Sequence, residues 1–136
     1  MYGGFNRCLN DAEKFQSDTE RKMSVILERD ALKWFKPRKG QFQLYYKSGA
    51  DQPEYQPDFV AETAAHTYMI ETKARNEMTD DVVRAKQEVA VKYCSQASNH
   101  AKTYENGKPW KYLLVPHDVV AEIISLEFLG SQFGER

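Results

Sequence analysis

An α/β fold, a mixed sheet flanked by helices, is what three features of the sequence predict. Short runs rich in β-branched and aromatic residues (FQLYYK, TYMIETK, WKYLLVP), bounded by turn residues, read as strands. Longer runs repeat their apolar residues with the period of a helix and are preceded by capping residues. Read together they give the order αβββαβα, which is the order of a sheet covered by helices.

Residues 1 to 16 carry Tyr2, Phe5, Leu9 and Phe15 without a clear period, as an arm would that packs on absent parts of a larger protein; residues 17–136 are the folded domain. The first helix is expected from Ser17, with Glu20 three residues on in a capping-box arrangement, to about Phe35 before Pro37. Its apolar stripe is Met23, Ile26, Leu27, Ala31 and Trp34. After the basic turn KPRKG, a strand is expected at Phe42 to Lys47, then the loop SGADQPEYQ. Strands at roughly Asp58 to Glu62 and Thr67 to Lys73 follow, joined by the turn TAAH. Thr79 is the expected cap of a second helix, Asp80 to about Ala97, with Val82, Val89, Ala90, Tyr93 and Ala97 facing inward. Gly107 and Pro109 lead into a strand from Trp110 to Pro116, and His117 to Leu129 reads as a last helix.

Composition narrows the function classes. The chain has 136 residues, 41% hydrophobic and 29% charged, with a net charge of -1, which argues for one ordinary globular domain and against a polybasic role. Neither a membrane span nor a signal peptide is recognisable, so the expected place is the cytoplasm, with no membrane partner. Cys8 and Cys94 lack CxxC spacing and suggest two reduced thiols rather than a disulfide framework or a zinc site. A Walker phosphate loop is absent from the sequence, so any ATP-driven motor lies outside it.

The hairpin YQPDFVAETAAHTYMIETK carries the chemistry. Asp58, Glu71 and Lys73 stand inside runs that should be core, and a buried carboxylate is costly unless paired or bound to a metal. Side chains alternate along a strand, so Glu71 and Lys73 share a face; any antiparallel register whose paired numbers sum to an odd value adds Asp58 to it. Opposed or diagonal partners then lie within about 4.5 to 8 Å. Two carboxylates at that spacing suit Mg²⁺, a hard cation that takes one or two carboxylates with water and phosphate oxygens. The plainer alternative is a salt bridge between Lys73 and one carboxylate.

Pro57-Asp58, twelve intervening residues and Glu71-Thr72-Lys73 resemble the PD-(D/E)XK nuclease signature, and the predicted αβββαβ order is similar to that family's restriction-endonuclease-like core. FQSDTERKMSVILERDALKWFKP, YQPDFVAET, YMIETKARNEM, VVRAKQEVAVKYCSQA and KPWKYLLVPHD further resemble the C-terminal endonuclease domain of the type III restriction-modification Res subunit. The resemblance implies a type III site-specific deoxyribonuclease. Asp58 and Glu71, with the backbone carbonyl of Thr72, would hold Mg²⁺, with Mn²⁺ able to substitute, and Lys73 would be the catalytic lysine. Glu20 matches an acid on the first helix that sits near the metal; its other role is the capping box. Lys86 falls on the expected inner face of the second helix, where a snorkelling surface lysine is the alternative. The Gln and Tyr four residues apart of helicase-linked relatives are not matched, because Gln87 is followed by Val91.

Duplex DNA, the helicase/translocase region of a longer chain and a modification methyltransferase subunit are the implied partners, with ATP acting only through that outside motor. Lys36, Arg38, Lys39, Arg75 and Lys86, with Lys47, are candidate contacts to the DNA backbone, or else a solvated run of charge. Two other readings stay open: a nuclease-like fold kept for docking DNA without activity, and a repair or RNA-directed nuclease of the same fold.

Overall fold

The computed structural model describes residues 2–3, 6–9, 12–13 and 17–135. Strands β1 (Tyr2–Gly3) and β2 (Ala12–Glu13) form a small antiparallel pair. Helix α1 (Asp18–Asp30) starts where the capping signal places it, with Ser17 Oγ accepting from the Glu20 N–H at 3.2 Å. It stops at Asp30, not at Phe35. Ala31 is extended (φ -89, ψ 153), and Lys33–Phe35 form strand β3. Aromatic residues favour strands, and Pro37 bars the residue before it from the helical region. Residues 6–9 of the expected arm lie along β3: Trp34 N donates to Arg7 O and Leu9 N to Trp34 O, both at 2.9 Å. Phe5 and Phe15 lie outside the described residues.

The segment expected as the first sheet strand, Phe42 to Lys47, contributes only β4 (Leu44–Tyr45), which pairs with β5 (Glu54–Tyr55) in a separate two-stranded sheet. Strands β6 (Phe59–Glu62) and β7 (Thr67–Lys73) form the expected hairpin, closed by Thr63, whose hydroxyl accepts from the N–H groups of Ala65 and His66. After a 3₁₀ turn at Arg75–Glu77 comes helix α2 (Asp81–Ala101), then β8 (Trp110–Pro116). Asp80, not Thr79, is the N-cap of α2. The last helix does not begin at His117. A 3₁₀ turn occupies His117–Val119, and α3 (Leu126–Phe133) starts after Ser125, whose hydroxyl accepts from Phe128 N at 3.1 Å. Strand β9 (Gly134–Glu135) follows.

The main sheet runs β3-β6-β7-β8-β9, with β7 and β8 parallel and the other neighbours antiparallel. It is a mixed sheet flanked by helices, as expected. The parallel pair needs a long crossover, which α2 supplies. On one face, Met23, Ile26 and Leu27 of α1 and Leu126 and Leu129 of α3 pack on Phe59, Ala61, Ile70, Leu113 and Val115. On the other, Val83, Ala90 and Cys94 of α2 pack on Met69, Tyr112 and Leu114, with Leu44 and Tyr55 of the β4–β5 hairpin. Of the expected inner stripe, Ala90 is buried and Val89 and Tyr93 pack against this core, but Val82 is exposed and its neighbour Val83 is buried in its place. Burial pushes the Cys94 thiol up to about 12, which keeps it protonated. Among the described residues no helix is long and apolar enough to cross a membrane.

The packing makes a sharp contrast between two isoleucines. Ile70 is fully buried in the central strand and Ile123 is 90% exposed. Ile70→Ala is expected to cost about 2–5 kcal/mol and Ile123→Ala less than about 0.5 kcal/mol, measured by denaturant unfolding.

Candidate functional site

The hairpin register decides which charges meet. Phe59 stands opposite Ile70 and Glu62 opposite Thr67, so paired numbers sum to an odd value and Asp58, one residue before β6, falls opposite Glu71. The Glu71 side chain takes the α2 face, that of Val60 and Met69, and Asp58 meets it from the end of the hairpin. β6 begins too late to satisfy the end of β7, and the Asp58 side chain takes over: its Oδ2 accepts from Thr72 N at 2.8 Å and from Thr72 Oγ1 at 3.1 Å. The N–H and C=O of a strand residue point the same way, so the Thr72 carbonyl lies on that edge too.

Burial makes this pair unusual. Glu71 is 4% exposed, and its Oε1 is buried without a hydrogen-bond partner. Its carboxyl is pushed well above the ordinary range, first by burial and then by Asp58 beside it, with Lys73 and Lys86 pulling the other way. Asp58 is pushed up by burial as well, opposed by the Thr72 N–H and assisted by the charge of Glu20. Two carboxyls beside each other in a dry place each oppose the other's ionisation, and a cation between them would relieve that opposition. An orphaned oxygen on an acidic pair of this kind fits a hard cation. Among the described residues no three His, Cys, Asp or Glu side chains are grouped to hold a metal by themselves, so such a cation would rest on two carboxylates and on main-chain or solvent oxygen.

Glu20 reaches the neighbourhood from the buried side of α1, 8% exposed, and its Oε1 is bonded to Lys36 Nζ. Lys36 is therefore turned inward, its ammonium 5.6 Å from the centre of the Phe59 ring. That differs from the expected solvent-facing contact. Lys73 is half-buried, and among the described residues it forms no ion pair. The simple salt bridge weighed from the sequence is not made. Arg38, Lys39 and Lys47 are exposed. Arg75 is exposed too and binds Asp118 through two bonds of 2.8 and 2.9 Å. Strands β3 and β7 run in the same direction, so residues 36–39 and Arg75 leave the sheet at the end that holds Asp58 and Glu71.

Three aromatic residues belong to the site that the sequence did not single out. The hydroxyls of Tyr55 and Tyr112 lie 3.2 Å apart, both phenols pushed up by burial first and by the charge of Glu71 next. The Lys86 ammonium lies 5.4 Å from the centre of the Tyr46 ring and 5.7 Å from that of Tyr55. The only sequence signal was proximity of Tyr55 to Pro57-Asp58. Two cavities of about 720 and 810 Å³ open at the other end of the sheet, beside Thr63–His66 and beside Glu62 and Thr67, and are not part of this site. No family model, curated protein or solved structure matches the chain, so the site is read from its own geometry.

The raised carboxyls make stability depend on pH. Between the ordinary value of 4.5 and its raised value in the fold, Glu71 binds more proton in the folded chain than in the unfolded one. Stability is then full below that window and falls as pH rises through it. In EDTA at mildly alkaline pH, Glu71→Gln is expected to raise the unfolding midpoint by about 3 °C or more, the size of roughly 1 kcal/mol in a chain of this length. At pH near 4 the two proteins should melt together. Thermal unfolding at the two pH values checks both.

Proposed function

We propose that the chain is a Mg²⁺-dependent DNA endonuclease domain with a restriction-endonuclease-like core, the cleavage module of a type III restriction enzyme Res subunit working in the cytoplasm. The observation that carries this is the buried pair, Asp58 and Glu71 at one register position, with Glu71 Oε1 unpartnered and Lys73 outside any ion pair among the described residues. A cluster built only for stability would use Lys73 to neutralise an acid. The order α1, β6, β7, α2, β8 also keeps the helix, hairpin, helix and strand that surround the PD-(D/E)XK motif.

Asp58, Glu71 and the Thr72 carbonyl would hold Mg²⁺, with Mn²⁺ able to replace it. Such an ion, when bound, lowers the pKa of a water and offsets charge on phosphate oxygens. Thr72 fixes the Asp58 carboxyl through two hydrogen bonds, so the pair is in place before any ligand arrives. The Lys73 ammonium, two residues from Glu71 on the same face, orients the attacking water or balances negative charge on the reacting phosphate. Glu20 is held by Lys36 at the edge of the group and acts on Asp58 through its charge. With a net charge of -1 the chain has little general attraction for duplex, so the motor region and the modification methyltransferase subunit deliver the DNA, and ATP is spent there.

Calorimetric titration with Mg²⁺ and Mn²⁺, paired with cleavage by the assembly that contains this domain, tests the proposal. Asp58→Ala removes an oxygen ligand and should weaken metal binding about tenfold or more. Lys73→Ala removes a positive charge beside the cation, so metal binding should persist or tighten. Cleavage should fall about a hundredfold or more in both, while DNA binding and ATP hydrolysis by the motor continue. An Asp58→Ala assembly that cuts at the wild-type rate would sink the assignment.

A further inference from the structure

Lys86 is the one lysine of α2 set over two aromatic rings among the described contacts, and it is half-buried on the stripe of Val83, Ala90 and Cys94. Its reach is limited on both sides. Tyr55 is 1% exposed, anchored by its hydroxyl contact to Tyr112, and so offers a fixed ring face. Tyr46 follows β4 and brings a second face from the same hairpin, tied to it through Tyr46 N donating to Pro53 O at 3.1 Å. An ammonium within about 6 Å of two ring centres is attracted to both. A lysine has four flexible carbons, and two ring faces remove much of that freedom before any ligand binds. The same ammonium is close enough to Glu71 to lower its carboxyl.

We infer that Lys86 is a second substrate-binding cation of the site, a donor to a phosphodiester oxygen, and that Tyr46 and Tyr55 are the positioning residues that hold it there. This rests on the nuclease reading of the Asp58–Glu71 pair. Lys73 approaches that pair from the strand and Lys86 from the helix, so an anion bound at the carboxylates' cation would meet an ammonium from each element. The β4–β5 hairpin, which adds no strand to the main sheet, thereby has a task.

Duplex binding by the chain at low and moderate salt, followed by fluorescence anisotropy with Ca²⁺ present, tests the inference alongside Mn²⁺ calorimetry on the same proteins. Lys86→Met is expected to weaken duplex binding about tenfold and to reduce the slope of log affinity against log salt by about one, the signature of one lost phosphate contact. Lys86→Arg should recover most of both. Tyr46→Leu, at a half-buried position, should weaken binding about threefold, with Tyr46→Phe recovering it because the ring face returns. Combined with Lys86→Met, Tyr46→Leu should add nothing further, because it acts through that lysine. If Mn²⁺ binding depends on Asp58 but Lys86→Met keeps the wild-type affinity and salt slope, the inference is overturned and the nuclease reading stands. If Mn²⁺ binding does not depend on Asp58, both fall.

Discussion

The alignment of Asp58 with Glu71 across the β6–β7 turn is the constraint on which the rest of the site depends. β7 is the central strand, flanked by β6 and β8, and its residues from Tyr68 to Thr72 are all buried. A carboxylate there loses its water and regains little from neighbouring side chains. Each surrounding feature reduces that cost in part. Thr72 supplies two donors to Asp58, and Lys36 is paired with Glu20, whose charge acts on Asp58. Lys73 and Lys86 act on Glu71 through their charge without an ion pair that would close the site. The remaining deficit, one buried oxygen of Glu71, is what a cation would remove.

Such a deficit is tolerable because the core lies elsewhere in the same sheet. Met23, Ile26, Leu27, Phe59, Ile70, Leu113, Leu126 and Leu129 are buried on one face, and each large apolar side chain contributes about 1.5–3 kcal/mol on burial. The second face adds Met69, Tyr112 and Leu114 under α2. β7 belongs to both layers. Its alternation sends Ile70 to one and Met69 to the other, and the same alternation carries Glu71 to the α2 side just where the apolar contacts end. The strand that anchors the fold therefore also aims the acid, so packing and site geometry are set by one register.

How far the sequence could be read follows from which interactions are local. From the sequence the parity of the hairpin is a condition, met in the fold by paired numbers that sum to an odd value and set Asp58 opposite Glu71. The hairpin itself was legible because its turn is local. The start of α1 was legible for the same reason, since the cap acts over three residues. Its end was not. Met23, Ile26, Leu27, Ala31 and Trp34 are all buried, yet Trp34 reaches the core from β3 after the chain has left the helix. A stripe of buried residues says nothing about where the backbone turns. The strand signal of FQLYYK was likewise real but could not tell which sheet Leu44 and Tyr45 would join. In α2 the adjacent Val82 and Val83 left the inner face ambiguous by one residue, and in the final segment the local cap at Ser125 prevailed over an apparent helix from His117. The restriction-endonuclease-like identity lies beyond what element order and register decide. Tyr46 and Tyr55 were out of reach because only tertiary packing brings them to Lys86.

The lysines and arginines separate into two groups that the sequence presents as one. Lys36 sits in the same basic run as Arg38 and Lys39, but the extended backbone after Phe35 turns it in toward Glu20 and leaves the other two in solvent. Lys73 and Arg75 are divided similarly by the end of β7, with Lys73 beside the acids and Arg75 bound to Asp118 on the surface. Exposed ion pairs contribute little and are screened by salt, whereas a cation held beside a dry carboxylate keeps most of its field. With a net charge of -1, the chain has no long-range pull on a polyanion. Its positive charge can matter only where geometry concentrates it, and the geometry concentrates it at the sheet end where β3 and β7 both terminate. On the proposed reading, an anion brought there by other means would meet fixed ammonium groups and the acid pair with its cation, an arrangement suited to placing a phosphate more than to capturing a long duplex.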